Sequence, residues 1–143
     1  VLRAGNGDVV AIAAEGARKV DEAPHGRLYQ DGSLLVNALE KTVQERRRLS
    51  FAGIVSIAVA VDDKGGIAGE PEIAVLGLPP RTRDGTAFDE YVADTVGDLL
   101  DGIPKARRRD PEALRNALER GVRSAVNEEW GKKPLVHALV IEV

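Results

Sequence analysis

The segment from Asp110 to Val143 restricts the fold of this chain more than any other part of the sequence. Apolar residues recur in it at i, i+3, i+4, i+7, i+8 and i+11, a spacing typical of a helix that packs one stripe against a core. They are Leu114, Ala117, Leu118, Gly121, Val122 and Ala125. Asp110 and Pro111 begin this predicted helix, and Gly131 and Pro134 end it before a strand over 135–143. No residue on the stripe is suited to attacking a substrate, binding a metal or transferring a proton.

Two further strands and one further helix are predicted upstream of this segment. Residues 51–61 are apolar on both alternating faces, which is typical of a central strand, and Asp62–Gly66 forms a turn after it. Pro71–Leu76 is a second strand, and a capping box at Thr86–Asp89 begins a helix that ends near Gly102. The sequence therefore predicts an α+β domain with a three-stranded β-sheet and two α-helices on one face, in the order β-β-α-α-β.

The first fifty residues carry weaker signals. A turn at Gly5–Asp8 precedes a strand at Val9–Ala13, for which residues 1–3 are the predicted partner strand. Such a short hairpin is not stable alone, so we expect residues 1–14 to complete a sheet that belongs to an upstream domain.

Residues 15–50 are predicted to be a linker, and residues 51–143 the C-terminal α/β domain. The linker contains one predicted strand near Arg27–Gln30 and a short helix or irregular turn within residues 35–48. Methionine is absent, also from position 1, which favours a fragment of a longer protein.

The composition argues against several classes of functional site. The chain has no cysteine, and its two histidines, His25 and His137, lie far apart, so we predict no catalytic and no metal-binding residue. No apolar run is long enough for a membrane span, and the absence of cysteine fits the cytoplasm. The formal net charge is only -3, so any surface for nucleic acid must be local.

The charged residues form four clusters. An acidic stripe on the first predicted helix is either a solvated face or a docking surface for a basic region of the same chain or of another subunit. Its members are Glu90, Asp94, Asp98 and Asp101. Three basic clusters are candidates for contacts with phosphate groups or for salt bridges between subunits. They are Arg46, Arg47 and Arg48; Lys105 with Arg107–Arg109; and Lys132 with Lys133.

Each basic cluster also has a simpler interpretation. The cluster at 105–109 suits an exposed loop between helices, and Lys132 and Lys133 suit the negative end of a helix dipole. No aromatic residue is interleaved with the clusters, and the spacing of Phe88, Tyr91 and Trp130 points them to the core. The sequence therefore argues against base stacking.

The order of the motifs resembles the end of ribonuclease J, a bacterial ribonuclease of the metallo-β-lactamase/β-CASP type. The matching segments are Asn6–Val10, Gly26–Gly32, Glu45–Ser50, Gly53–Asp62, Gly131–Pro134 and Ile141–Val143. Details of the acidic helix and of the segment around Trp130 resemble the proteobacterial members of this family.

The resemblance implies a 5′-to-3′ exoribonuclease with endonuclease capacity, which holds two zinc ions with histidines and aspartates. It also implies that residues 1–14 are the terminal strands of the metallo-β-lactamase hydrolase domain. No position of this chain matches the zinc motif of the family, so no catalytic residue is carried over. We therefore expect a non-catalytic assembly domain that forms a homo-oligomer, either a dimer or a tetramer. RNA is expected to bind to the full-length enzyme, and no membrane partner is expected. The alternative is an accessory module that binds the RNA backbone.

Overall fold

The computed structural model describes residues 2–143, which divide into two compact units, residues 2–44 and 45–143. The first unit contains two antiparallel hairpins. Strand β1 (Asp8–Ala13) pairs with β2 (Gly16–Glu22), and β3 (Leu28–Asp31) pairs with β4 (Leu34–Asn37).

The partner of β1 differs from the prediction. Val1 lies outside the described residues, and residues 2–3 form no strand; β2 takes the place expected for residues 1–3. The register joins Ala13 to Gly16, so the turn consists of Ala14 and Glu15 alone. This dipeptide lacks the glycine or asparagine that is typical of a tight hairpin turn. The pairing of β1 with β2 was therefore not predicted from the sequence.

The segment predicted to be a linker contains regular structure. The strand expected near Arg27–Gln30 corresponds to β3, but β2 and β4 were not predicted. Helix α1 (Lys41–Ala52) occupies the region for which the sequence left a helix or an irregular turn open. The assignment of residues 1–14 to an upstream domain stays a prediction.

The second unit has the predicted mixed architecture. Strand β5 (Ile54–Val61) is central, with β6 (Glu72–Leu76) antiparallel on one side and β7 (Leu135–Glu142) parallel on the other. Helices α2 (Phe88–Gly102) and α4 (Pro111–Trp130) lie between β6 and β7 in the chain. A four-residue helix, α3 (Lys105–Arg108), joins them. The predicted β-β-α-α-β domain is therefore confirmed, with one short helix added.

The core lies between one face of the sheet and the two long helices. The sheet contributes Val55, Ile57, Val59, Val61, Val136 and Ala138 to it. Helix α2 contributes Phe88, Val92, Val96 and Leu100, and α4 contributes Leu114, Leu118, Val122 and Val126. All of these side chains are buried, so the helical stripes and the strand alternation provide one continuous apolar interior.

The opposite face of the sheet, which we call the open face, is apolar and accessible to solvent. Its apolar and small members are Ile54, Ser56, Ala58, Ala60, Ala74, Leu76, Leu135, Leu139 and Ile141. Leu76 is 67% exposed, Leu139 54% and Ile141 53%. Such a contiguous apolar patch is uncommon on a soluble domain and usually marks a binding surface.

The ends of the two long helices are fixed by different groups. The Asp110 carboxylate accepts hydrogen bonds of 3.0 Å from the N–H groups of Glu112 and Ala113, as predicted for the start of α4. The capping box predicted at Thr86–Asp89 is wrong, because Ala87 is the N-cap of α2 and has no side-chain cap. The Phe88 N–H instead donates to the Pro80 carbonyl at 3.1 Å.

The C-terminus of α2 is closed by an arginine from α3. The guanidinium of Arg108 donates to the carbonyl oxygens of Leu100 and Ile103. Since the last turn of α2 has no basic residue of its own, Arg108 provides the positive charge that favours a helix C-terminus.

Helices α2 and α4 approach closely at Gly121. A Cβ atom at this position would lie 2.6 Å from both methyl carbons of Leu99. The phenolic hydroxyl of Tyr91 donates to the Ala125 carbonyl at 3.1 Å, one helical turn away. Glycine at position 121 therefore allows the two helices to share the core without a gap.

The loop before α2 is tied to the end of α4. The N–H of Arg83 donates to the Glu129 carboxylate at 2.5 Å, and its guanidinium donates to the Glu128 carbonyl at 2.7 Å. Hydrogen bonds from Arg83 lower the pKa of Glu129 below its ordinary value of 4.5. The backbone N–H has the largest effect, and the guanidinium follows.

The corner between α1 and β5 depends on Gly53, whose φ is 67°. Its N–H donates to the Leu49 carbonyl at 2.8 Å, and its carbonyl accepts from the Leu135 N–H at 3.1 Å. A Cβ here would lie 2.5 Å from the Leu76 carbonyl oxygen. The chain therefore leaves α1 at Ala52, and β5 begins at Ile54 rather than at Phe51 as predicted.

Candidate functional site

Two of the three predicted basic clusters meet at one groove of the second unit. Arg48 from α1 lies beside Lys132 and Lys133, which follow the end of α4. The groove has a volume of about 400 Å³, and its other lining residues are Phe51, Ala52, Asn127 and Gly131. Arg46 and Arg47, on the same helix as Arg48, are not among the lining residues.

Helix α4 ends at the groove in a left-handed residue. Gly131 has φ 81°, and its N–H donates to the Asn127 carbonyl at 2.8 Å, which closes the last turn. The chain then turns at once, so Lys132 and Lys133 follow the helix C-terminus directly. Pro134 is buried beyond them and prevents the helix from continuing.

Lys132 joins the two sides of the groove. Its ammonium donates to the Phe51 carbonyl at 3.2 Å, lies 4.3 Å from the centre of the Phe51 ring and lies 4.9 Å from the centre of the Trp130 ring. The cation therefore contacts two aromatic rings and the last turn of α1. Lys132 therefore connects the two sides of the groove and also contributes positive charge to it.

The groove is cationic without a compensating acid. Its lining has three basic side chains and no carboxylate, although the whole chain has a net charge of -3. Arg48 and Lys133 are exposed, and within residues 2–143 we find no ion pair for either. The site therefore attracts anions at its rim.

Phe51 is the residue that the sequence analysis missed. Phe51 is 67% exposed and lines the groove with Arg48 and Lys132, whereas the sequence analysis found no aromatic residue interleaved with the basic clusters. Phe51 was assigned to the start of the central strand; in α1 it follows Arg48 by three residues and so shares its helix face. That spacing was the available signal.

The three aromatic residues predicted to point to the core do so. The Phe88 ring packs edge-to-face against Tyr91, with ring centres 5.7 Å apart, and against Trp130 at 6.5 Å. All three pack in or against the core.

The acidic stripe lies at the solvent surface of α2. Its four carboxylates, Glu90, Asp94, Asp98 and Asp101, are exposed, and within residues 2–143 they form no salt bridge. The buried residues of α2 lie on the opposite side of the helix. The stripe and the open face are therefore on opposite layers of the domain.

The third basic cluster has a structural role in part. Arg108 closes the C-terminus of α2, while Lys105, Arg107 and Arg109 are exposed around α3. In the described part of the chain, no three His, Cys, Asp or Glu side chains are grouped as a metal site would need. His137 lies on β7, with its Nδ1 4.0 Å from a Glu119 carboxylate oxygen.

Comparison with known proteins identifies the family. The family model described as the ribonuclease J C-terminal domain matches residues 41–143, which includes α1 and the whole second unit. The chain belongs to this family. Residues of the groove and of the open face all lie within the matched ribonuclease J C-terminal domain.

Several named relatives match almost the full chain. A ribonuclease J of Sinorhizobium meliloti is 41% identical over 143 residues, which is 100% of this chain and 25% of the relative. A ribonuclease J of Corynebacterium glutamicum is 24% identical over 99% of the chain and 19% of its own length. Ribonuclease J2 of Bacillus subtilis is 22% identical over 96% of the chain and 25% of its own length.

The chain spans a quarter or less of the length of these three relatives. Their ribonuclease names therefore describe much longer proteins. None of the helices within residues 2–143 has the length and apolar character needed to cross a membrane.

Proposed function

We propose that this chain is the non-catalytic assembly domain of a ribonuclease J-type enzyme of RNA processing and decay, and that it joins two copies through the open face. Membership in the ribonuclease J C-terminal domain family supports the enzyme class. The relatives are named ribonucleases, and three-quarters or more of each lies outside the region matched here. We expect the hydrolytic centre on that additional polypeptide.

The two zinc ions that the family resemblance implies do not fit the described residues. Residues 2–143 contain no group of three or more metal-binding side chains, and their two histidines belong to different units. We therefore assign no step of hydrolysis to this chain. Its proposed contribution is to hold catalytic domains of two subunits together.

The open face carries the proposal. Leu76, Leu139 and Ile141 expose more than half of their side chains to water on a sheet whose other face is fully packed. Burying this apolar surface against a partner is favourable by about 25 cal/mol per Å². An interface here would complete a second apolar layer on the sheet.

The charge of the open face favours a second copy as the partner. A twofold interface brings a patch against itself, so a patch of one charge would repel its own copy. The open face has only Glu72 and His137 as ionisable residues, one on each outer strand. In a twofold interface through the acidic stripe, its four carboxylates would face the same four carboxylates of the second copy.

The edge of the sheet is less suited to pairing. The Ala138 N–H of β7 donates to the Glu119 carboxylate at 3.1 Å, so one donor of this outer strand is already occupied. Such blocking by an acidic side chain is a common protection of edge strands. A partner strand would have to displace Glu119, whereas the open face needs no rearrangement.

The size of the face sets the expected strength. Three strands about 4.8 Å apart and up to about eight residues long present roughly 300 to 400 Å² in plan. A standard interface hides about 800 Å² of accessible surface on each partner. We therefore expect the isolated chain to form a micromolar dimer rather than an obligate one.

Sedimentation equilibrium over a range of concentrations tests the proposal. The expected result is a shift from the monomer mass of 15.3 kDa towards twice that mass. Leu139→Asp should keep the chain monomeric, because a charge would be buried in the apolar interface. Asn116→Asp adds the same charge to an exposed position of α4 and should leave the dimer intact.

Two outcomes would contradict the proposal. The first is a folded wild-type chain that stays monomeric throughout. The second is loss of the dimer in the double variant Asp94→Asn and Asp98→Asn with normal association of Leu139→Asp. That pattern would move the interface to the acidic stripe.

A further inference from the structure

We propose that the groove between α1 and the end of α4 binds one nucleotide of a single-stranded nucleic acid, with the base on Phe51 and the phosphate between Arg48 and Lys133. This site is separate from the open face. The expectation that the strand is RNA rests on the proposed function, whereas the groove itself is inferred from its own chemistry.

The exposed ring is the first part of the argument. Phe51 leaves 67% of its surface in water, although three other aromatic residues of the chain pack in or against the core. Lys132 lies 4.3 Å from the ring centre and bonds the Phe51 carbonyl, so the ring is held next to cations. A fixed, accessible ring is a platform on which any base can stack.

The charge is the second part. Arg48 and Lys133 are exposed at the rim, and the lining offers no carboxylate as a competing partner. Arginine binds a phosphate through two N–H groups, and lysine binds it as a point charge. Lys132 is already committed to Phe51 and adds to the field rather than contacting the phosphate.

The third part is the size and the polar lining of the groove. About 400 Å³ lies in the range of roughly 300 to 1,000 Å³ that small-ligand sites occupy. Asn127 lines the groove and, among residues 2–143, no hydrogen bond occupies its side-chain amide. The amide can donate to and accept from a base edge. The groove therefore offers a stacking surface, a phosphate site and a polar contact together.

An acidic protein segment is the main competing ligand, and the aromatic ring distinguishes the two. Binding of carboxylates would depend on Arg48 and Lys133 and would gain little from Phe51. Binding of a nucleotide would depend on all three. The experiment therefore separates loss of charge from loss of stacking.

Fluorescence anisotropy of a short labelled oligouridine, titrated with the full chain at several salt concentrations, measures the binding. Phe51→Leu should weaken it by about 5- to 150-fold, the range of one lost stacking contact, with an unchanged salt slope. Lys133→Ala should weaken it and make the slope of log affinity against log salt shallower by about 0.7. An oligodeoxyuridine of equal length compares DNA with RNA. Tighter binding of the RNA would assign the groove to RNA, whereas equal affinity would assign it to single strands with either sugar.

Lys64→Ala is the matched control, because Lys64 is exposed in the turn after β5, at the far end of the strand from the groove. It should bind as the wild type does. Circular dichroism of each variant checks that the fold is kept. Three results would each overturn the proposal. They are wild-type affinity of Phe51→Leu for the oligouridine, no binding by the wild-type chain, and equal losses of affinity in Lys64→Ala and Lys133→Ala. Oligomeric mass in the same samples reports on the assembly proposal separately.

Discussion

Replacement of Gly121 by alanine tests how closely α2 and α4 pack. The new Cβ would lie 2.6 Å from both methyl carbons of Leu99 and 3.1 Å from its Cγ. Carbon atoms in favourable contact are about 3.5 to 4.0 Å apart, so two contacts are too short by about 1 Å. The Leu99 side chain must turn, or the helices must separate.

The expected change in stability combines two opposing effects. Alanine favours a helix interior over glycine by about 1 kcal/mol, whereas overpacking a core costs about 1 to 3 kcal/mol. We therefore expect Gly121→Ala to lower the free energy of unfolding by about 0 to 2 kcal/mol. Gly97, in the middle of α2, has no atom within 4 Å of a built Cβ, so Gly97→Ala should raise it by up to about 1 kcal/mol.

Urea unfolding of the 143-residue chain, followed by circular dichroism, measures both effects. In a Leu99→Ala background the obstruction is gone, and Gly121→Ala should then be stabilising by about 1 kcal/mol. Equal stabilisation by Gly97→Ala and Gly121→Ala in the wild-type background would refute the reasoning, because the helices would then have room for the methyl group.

Three further variants test other parts of the domain by the same unfolding measurement. Asp110→Ala should cost about 1 kcal/mol by uncapping α4, while Asp110→Asn, which keeps an acceptor, should cost only a few tenths; equal losses would argue against the cap. Leu118→Ala should cost about 2 to 5 kcal/mol because this side chain is fully buried, and a loss below 1 kcal/mol would contradict its place in the core. Arg83 lowers the pKa of Glu129. The contribution of the Glu129 carboxylate to the free energy of unfolding is therefore complete above the ordinary value of 4.5 and is lost as the pH falls through the lowered pKa. Glu129→Gln should therefore be less stable than the wild type near neutral pH and should lose less stability than the wild type on acidification; parallel pH profiles would exclude this ion pair as a source of acid sensitivity.

The sequence was most informative where several local signals agreed. In α4, the apolar stripe, the Asp110 cap and the Gly131 stop all indicate the same helix, and the structure confirms each of them. Strand β5 was similarly clear, since apolar residues on both faces are characteristic of the centre of a sheet. In both segments the periodicity fixed which side chains face the core.

Prediction failed where the structure depends on weak or distant signals. The β1–β2 turn consists of Ala14 and Glu15, which have no strong turn preference. The hairpin is therefore determined by the pairing of its two strands and not by its turn residues. At the start of α2, the Pro80 carbonyl replaces the expected side-chain cap. Both contacts involve groups that the local pattern does not reveal.

The candidate groove shows the same limit at the functional level. The basic residues were recognised from sequence, but Phe51 and Lys132 are 81 positions apart, and nothing local predicts their contact. Because Phe51 continued an apolar run, it was assigned to the strand. The left-handed Gly53 ends the helix after it and leaves the ring at the surface.

Gly53 also has a consequence for how divergent relatives can be compared. Its φ of 67° and the carbonyl oxygen 2.5 Å from a built Cβ together exclude every amino acid with a side chain unless the backbone moves. Any protein that keeps this corner must keep glycine there, however far the rest of its sequence has drifted. If relatives at 22% to 24% identity share this corner, a correct alignment must place glycine at this position.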